Sequence, residues 1–189
     1  MSNATPNDEE KVAAYLDVIQ QRILTPLQNA EIRRYCTATL LLLFAAIDGL
    51  GKLLADDDKA KSNQRILRFL DYMGGKYAGN KRKLLDLRHS LVHNAISVES
   101  YLSNTEITRE QHLERIGAAG FILVSTVVMY TDFVDAFKRF QDELKSDGEI
   151  LKRAARRLEW REEAQLDESE MPGTVSPSSP SPVSFIFAK

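Results

Sequence analysis

The sequence predicts an all-α protein, an antiparallel bundle of about five to six helices, and three observations carry that prediction. Apolar residues recur at three- and four-residue steps along most of the chain, as in Val12, Leu16, Ile19 and Ile23. Residues suited to capping a helix stand just before such runs, at Thr25, Ser62, Asn80, Thr108 and Asp147. Two stretches, Thr39 to Ile47 and Gly117 to Tyr130, are nearly continuous in apolar character but shorter than the roughly 20 residues that span a bilayer, so they read as helices buried at a bundle centre.

The first helix is expected from about Asp8 to Leu24. Thr25-Pro26-Leu27-Gln28 reads as a capping box with proline at the first helical position, opening a second helix that reaches about Ala55 and is apolar on every face from Leu40 to Ile47. Asp56-Asp57-Asp58 ends it. Ser62 then caps a third helix carrying Ile66, Leu67, Phe69 and Leu70, which Gly74-Gly75 stops, and Asn80 caps a fourth containing Leu84, Leu85, Leu87, Leu91 and Val92. Ala95 to Ile107 alternates weakly and is read as a loop or small hairpin between the fourth and fifth helices. Thr108 to Gln111 is another capping box, and Leu113, Ile116, Gly120, Leu123, Val127, Tyr130, Val134 and Phe137 after it mark one long helix. Asp147 caps a last helix through Ala164. From Asp167 the chain is rich in serine and proline, so residues 1–166 are assigned to the helical domain and 167–189 to a disordered tail whose Phe185-Ile186-Phe187 is a candidate docking motif.

With 43% hydrophobic residues, 189 residues suffice for one sizeable core and are few for two. The formal net charge of -2 supplies no global basic field, so any nucleic-acid contact is local. Cys36 has no second cysteine to pair with, which suits a reducing, cytoplasmic setting, and the polar, acidic start of the chain lacks the apolar run of a secretory signal. No membrane partner and no cofactor are expected.

The informative polar residues fall between Asp86 and Asn94. On an ideal helix Asp86, His89 and His93 share a face, being three and four residues apart, whereas Arg88 falls among Leu84, Leu85, Leu91 and Val92, where an unpaired guanidinium is costly. One reading makes Asp86, His89 and His93 a divalent-metal site. The only further histidine is His112 and no HExxH string is present, so two histidines on a solvated face is the plainer reading and no metal is assigned. Gly49 and Gly51 lack the lysine and serine of a phosphate loop and are read as sites of close helix packing.

A second reading joins Arg88 to His93 in the string Leu87-Arg88-His89-Ser90-Leu91-Val92-His93-Asn94. An arginine, a polar residue, and a histidine after four intervening positions, at the end of a helix in an all-helical bundle, resembles the signature of HEPN-domain proteins. Ala45-Ala46-Ile47-Asp48-Gly49-Leu50-Gly51, then Arg68-Phe69-Leu70, then Leu91-Val92-His93-Asn94 is similar to a bacterial branch of that family, so the resemblance covers roughly Leu40 to Asn94. It implies a metal-independent endoribonuclease, a toxin or phage-defence effector, acting as a homodimer that brings two motifs into one cleft. Arg88 and His93 are then the catalytic pair and His89 an auxiliary residue. Lys81, Arg82, Lys83 and Asn94 are the expected RNA contacts, with Lys76 adding to the local positive potential. A cognate antitoxin or other protein partner belongs to the same expectation. The alternative is a non-catalytic bundle of the same kind that binds RNA, a nucleotide or a protein as a dimer.

Geometry constrains the pair. Residues five apart on a continuous helix point about 140° away from one another. Either the helix loosens near Val92, or Arg88 of one subunit works beside His93 of the other.

Overall fold

The computed structural model describes residues 7–57, 59–94, 100–103, 107–118 and 120–167. Helix α1 (Asp8–Ile19) begins where Asn7 and Glu10 satisfy each other: the Asn7 side chain accepts from the Glu10 N–H at 2.8 Å and the Glu10 carboxylate accepts from the Asn7 N–H at 3.2 Å. Asp8, Glu9 and Glu10 add negative charge at the positive helix end. The chain then continues without a break through a π-helical turn (Gln20–Leu24) into the single turn α2 (Thr25–Leu27). Thr25 is helical and is therefore not the cap the sequence predicts. The wider turn before Pro26 accommodates a residue that has no N–H to give to an ordinary α-helix.

The single helix expected from Thr25 to Ala55 is three pieces: α2, α3 (Ala30–Arg33) and α4 (Cys36–Leu54). Asn29 leaves the helical region (ψ 119°) to accept the Glu31 N–H at 2.8 Å, a local bond that competes with helix continuation. Tyr35 breaks the chain again at ψ 77°. Arg33 ties these short pieces down, donating to the carbonyls of Leu27 and Gln28 and lying 5.1 Å from the ring centre of Tyr130.

Helix α4 is the centre of the bundle. It contacts α5 (Ser62–Met73), α6 (Gly75–Asn94), α7 (Thr126–Ser146) and α8 (Gly148–Asp167), and Leu40, Leu43, Ile47, Leu50 and Leu53 are wholly buried. By length and composition Cys36–Leu54 is long and apolar enough to cross a membrane, but 56% of its most apolar window is buried inside the protein, as in a core helix. At Gly51 a Cβ would stand 2.0 Å from the backbone oxygen of Arg65, so α4 and α5 touch backbone to backbone, the close packing expected of this glycine. The same contact is fastened by Asp48, which accepts from Arg65 at 2.7 and 3.1 Å and from Ser62 at 2.9 Å. Ser62 is thus spent on α4 and is not the cap of α5; Gln64 accepts the Lys61 N–H there instead.

Gly74 and Gly75, at φ 74° and 52°, end α5 and start α6 at once. Asn80 lies inside α6 and does not cap it; its amide donates to the carbonyls of Lys76 and Leu113. From α8, Arg157 donates to the carbonyls of Ala55 and Asp56, which α4 leaves without partners at its end. Asp147 caps α8 as predicted, accepting from Glu149 at 2.9 Å and Ile150 at 3.2 Å.

The region after α6 departs most from expectation. The Thr108–Gln111 capping box forms, with reciprocal bonds of 3.0 and 3.3 Å, but it opens only a turn that Leu113 ends at φ 64°. A small sheet follows, of strands β1 (Ser100–Ser103), β2 (Arg115–Ile116) and β3 (Phe121–Ser125) in the order β1-β3-β2. The pair β1–β3 is parallel, with Ser100 opposite Ile122, and β2–β3 is antiparallel, with Ile116 opposite Phe121. The long helix therefore starts at Thr126 and not at Thr108; of the stretch 95–107 read as a loop or small hairpin, the described residues 100–103 form a strand paired in parallel, and the antiparallel pair lies at 115–125. Gly117 and Gly120, both at φ 67°, form a turn that no helix interior permits, and Phe121-Ile122-Leu123-Val124 is rich in residues that favour strands. Residues 95–99 and 104–106, and the tail 168–189 with Phe185-Ile186-Phe187, lie outside the described residues.

Among the described residues, six helices of 12 or more residues with a small edge sheet make an all-α helical bundle, as predicted.

Candidate functional site

Helix α6 carries the predicted residues. Leu84, Leu85, Leu87 and Leu91 are buried and fix its rotation against the core, so neighbouring positions have no freedom to turn elsewhere. Arg88 is consequently half-buried, and among the described residues no carboxylate pairs with its guanidinium. Val92, expected on the apolar side, is 48% exposed, and His93 beside it is exposed. The core runs out before the helix does. Asn94 ends α6, and its side chain lies outside the described residues.

The helix is uninterrupted from Gly75 to Asn94, so it does not loosen at Val92. Arg88 and His93 stay about 140° apart around one axis and do not converge within one chain. His89 and His93 do approach, with ring centres 6.4 Å apart. His89 Nε2 lies 3.1 Å from the Asn63 side-chain oxygen at the start of α5; an amide oxygen only accepts, so Nε2 is the donor. Asp86 is exposed, and among the described residues no group of three His, Cys, Asp or Glu side chains is placed to hold a metal ion.

The basic stretch is less available than its sequence suggests. Lys81 is paired with Asp71 at 2.6 Å, Lys83 donates to the Gly120 carbonyl and Lys76 to the Glu110 carbonyl. Arg82 is exposed and makes none of these bonds.

A polar cluster that the sequence reading missed lies at the other end of α6. His112 is 2% exposed; its Nδ1 accepts the Ser125 N–H at 3.1 Å, which leaves the proton on Nε2, 2.9 Å from the Tyr77 hydroxyl. That hydroxyl donates to Asp132 at 3.0 Å, and Asp132 also pairs with Arg109 at 2.5 Å. Burial, aided by the charges of Lys76 and Arg109, holds the His112 imidazole down at about 4, so it is neutral at pH 7. Burial and the Asp132 carboxylate push the Tyr77 phenol far up. The signal available in the sequence was weak: His112 directly follows a capping box, Tyr77 and Ser125 lie 35 and 13 residues from it, and Asp132 lies 55 residues from Tyr77.

No family model, curated protein or solved structure matches the chain.

Proposed function

We propose that the protein is a HEPN-type, metal-independent endoribonuclease whose site is composed across a homodimer. The observation that carries this reading is the unbroken helix α6: it presents a half-buried Arg88, without a carboxylate partner among the described residues, and an exposed His93 on different faces, so that a second copy is needed to bring the two together. His93 takes the proton of a ribose 2′-hydroxyl. The 2′-oxygen attacks the adjacent phosphorus, the bond to the 5′-oxygen breaks, and that oxygen takes a proton from a water molecule, which in turn recovers the proton held by His93. The products are a 2′,3′-cyclic phosphate and a 5′-hydroxyl. Arg88 holds the phosphate and offsets the charge that builds on it. His89, held by Asn63, contacts the phosphate or the facing motif. Arg82, with Asn94, is the most available RNA contact, and Lys81 and Lys83 contribute after releasing their present partners. A toxin or phage-defence role, with a cognate antitoxin, belongs to this proposal, as does action in the cytoplasm.

The test is cleavage of labelled RNA in the presence of chelator by wild type, Arg88→Ala, His93→Ala, and a mixture of the two variants. Each variant alone loses activity by roughly 10²- to 10⁴-fold. The mixture regains roughly a quarter of wild-type activity, because half of the dimers are mixed and each of those holds one complete site. No recovery on mixing sinks the composite site.

The second reading, a non-catalytic dimer module that binds RNA, a nucleotide or a protein, is favoured by one observation: Val92, 48% exposed beside His93, suits a contact between chains without chemistry. It predicts dimers that bind RNA or a partner without cutting.

A further inference from the structure

Helices α1 and α7 both pack on α8 but not closely on one another, which leaves a groove of about 410 Å³ between them. That volume is usual for a binding cleft, roughly 300–1,000 Å³. The floor is apolar, made by Val12 and Leu16 of α1, Leu144 of α7 and half-buried Leu151 in the first turn of α8. Ala13, on the α1 edge, is exposed and too small to cover that floor. The charged groups at the rim are Glu9 and Asp17 on α1 and Lys145 on α7. Lys145 already faces Asp142 at 3.5 Å, so the two carboxylates of α1 set the field that an occupant meets.

The chain itself carries a segment of matching chemistry. Residues 168–189 are rich in serine and proline, and their one run of large apolar side chains is Phe185-Ile186-Phe187. Lys189, the only cation of this stretch, follows that run by two residues, whereas the carboxylates Glu168 and Glu170 stand at the opposite end. An apolar run followed by a cation complements an apolar floor edged by Glu9 and Asp17.

Chain length favours this occupant over a segment of a second copy. Leu151 and Asp167 lie about 24 Å apart along α8, so a chain leaving that helix returns by this distance to reach the groove. Residues 168–184 join Asp167 to Phe185, and a chain of that length has a root-mean-square span of about 21–25 Å as a coil and about 53 Å as an extended polyproline helix. The coil span matches the distance, the condition under which a tethered segment has its highest effective concentration, on the order of millimolar. A segment from another molecule reaches that concentration only in a solution of the protein as strong.

We infer that the groove is the docking site of the chain's own Phe185-Ile186-Phe187, with Lys189 beside Glu9 and Asp17. The inference is independent of the ribonuclease reading, since no residue assigned there to cleavage or RNA contact lines the groove.

The test places a nitroxide at Ser184→Cys in the full chain, with the single native cysteine removed by Cys36→Ser, and follows the labelled methyl groups of Val12, Leu144 and Leu151 by NMR. Their signals are expected to broaden relative to the reduced, diamagnetic sample. Those of Val127, about 27 Å from Lys145 along α7, are expected to stay sharp. Ala13→Arg fills the groove with a cation, and Phe187→Ser removes an aromatic ring from the segment. Each weakens docking by about tenfold or more and so removes most of the broadening. Ala13 is exposed, so its replacement keeps the fold. Isotope-labelled chain without nitroxide, mixed with unlabelled chain that carries it, is expected to show no broadening. The inference is overturned if the groove methyls stay sharp in the full chain, or if both variants broaden like wild type. It is overturned equally if the mixed sample broadens as strongly, which assigns the segment to a second copy.

Discussion

Burying an imidazole beside two cations changes what acid does to this protein. His112 has a folded value of about 4, below the 6.5 of an exposed histidine, because burial and the nearby charges of Lys76 and Arg109 oppose a second proton. The unfolded chain takes up that proton first as pH falls, so protonation favours unfolding. The stabilisation is therefore complete above pH 6.5 and is lost progressively as pH falls toward 4. The full loss is on the order of 3 kcal/mol. Urea midpoints measured between pH 7 and 4 are expected to fall in wild type. In His112→Gln, which is less stable throughout, the part of the slope above pH 5 disappears; an unchanged slope there would assign the acid sensitivity to carboxylates instead. Arg88 is the opposite case, a charge that folding half-buries without a carboxylate partner among the described residues. Arg88→Leu is expected to raise the unfolding free energy by about 1 kcal/mol and, on the proposed function, to abolish cleavage, the pattern of a residue kept for function at a cost in stability. A drop in thermal midpoint would show instead that Arg88 has a structural partner.

At the scale of elements, the α4–α5 contact is where the fold is least forgiving. Gly51 leaves no room for a methyl group because its neighbour is the Arg65 backbone, which cannot rotate away like a side chain. Gly51→Ala is expected to cost roughly 1–3 kcal/mol or more, by forcing α4 and α5 apart, and chemical denaturation reads that loss directly. Gly49→Ala meets the end of the Tyr15 side chain and is the milder change. This packing was legible from two glycines inside an apolar helix, as were α1, α4, α5 and α8 from the periodicity of their apolar residues, and the start of α8 also from Asp147. The failures have local causes. Asn29 and Tyr35 divide what looks like one helix because Asn29 finds its own backbone bond with Glu31. Residues 113–125 keep helical spacing of apolar side chains, yet Gly117 and Gly120 adopt φ 67° and turn the chain into a hairpin. Periodicity could not arbitrate there; the paired glycines and the strand-favouring run after them could have. In the candidate site, the half-buried position of Arg88 followed from the leucines around it, whereas the exposure of Val92 did not, because the extent of the core along α6 depends on elements distant in sequence. The His112 cluster was illegible for the same reason, since Tyr77 and Asp132 reach it from different helices.

At the scale of the whole molecule, the question is what a second copy does. Val92 and His93 lie past the last buried leucine of α6, so the carboxyl end of the helix offers an apolar and a polar side chain side by side with no core behind them. In a symmetric dimer each chain meets its own counterpart patch, and a single substitution acts on both sides of the contact. If the proposed dimer forms through this end of α6, Val92→Asp brings two like charges together there and removes two apolar contacts at once. Because Val92 is 48% exposed, the substitution leaves the core untouched, and the circular-dichroism melt of the monomer is expected to match wild type within about 0.5 kcal/mol. Sedimentation is expected to show the dimer dissociating at concentrations where wild type holds. If the site is composed across the interface, activity per chain falls with the dimer and returns as protein concentration rises, so that rate depends on concentration to a power greater than one. Activity that stays proportional to concentration in a protein shown to be monomeric would place Arg88 and His93 in separate roles, and would leave the half-buried guanidinium of Arg88 to be explained by the RNA alone.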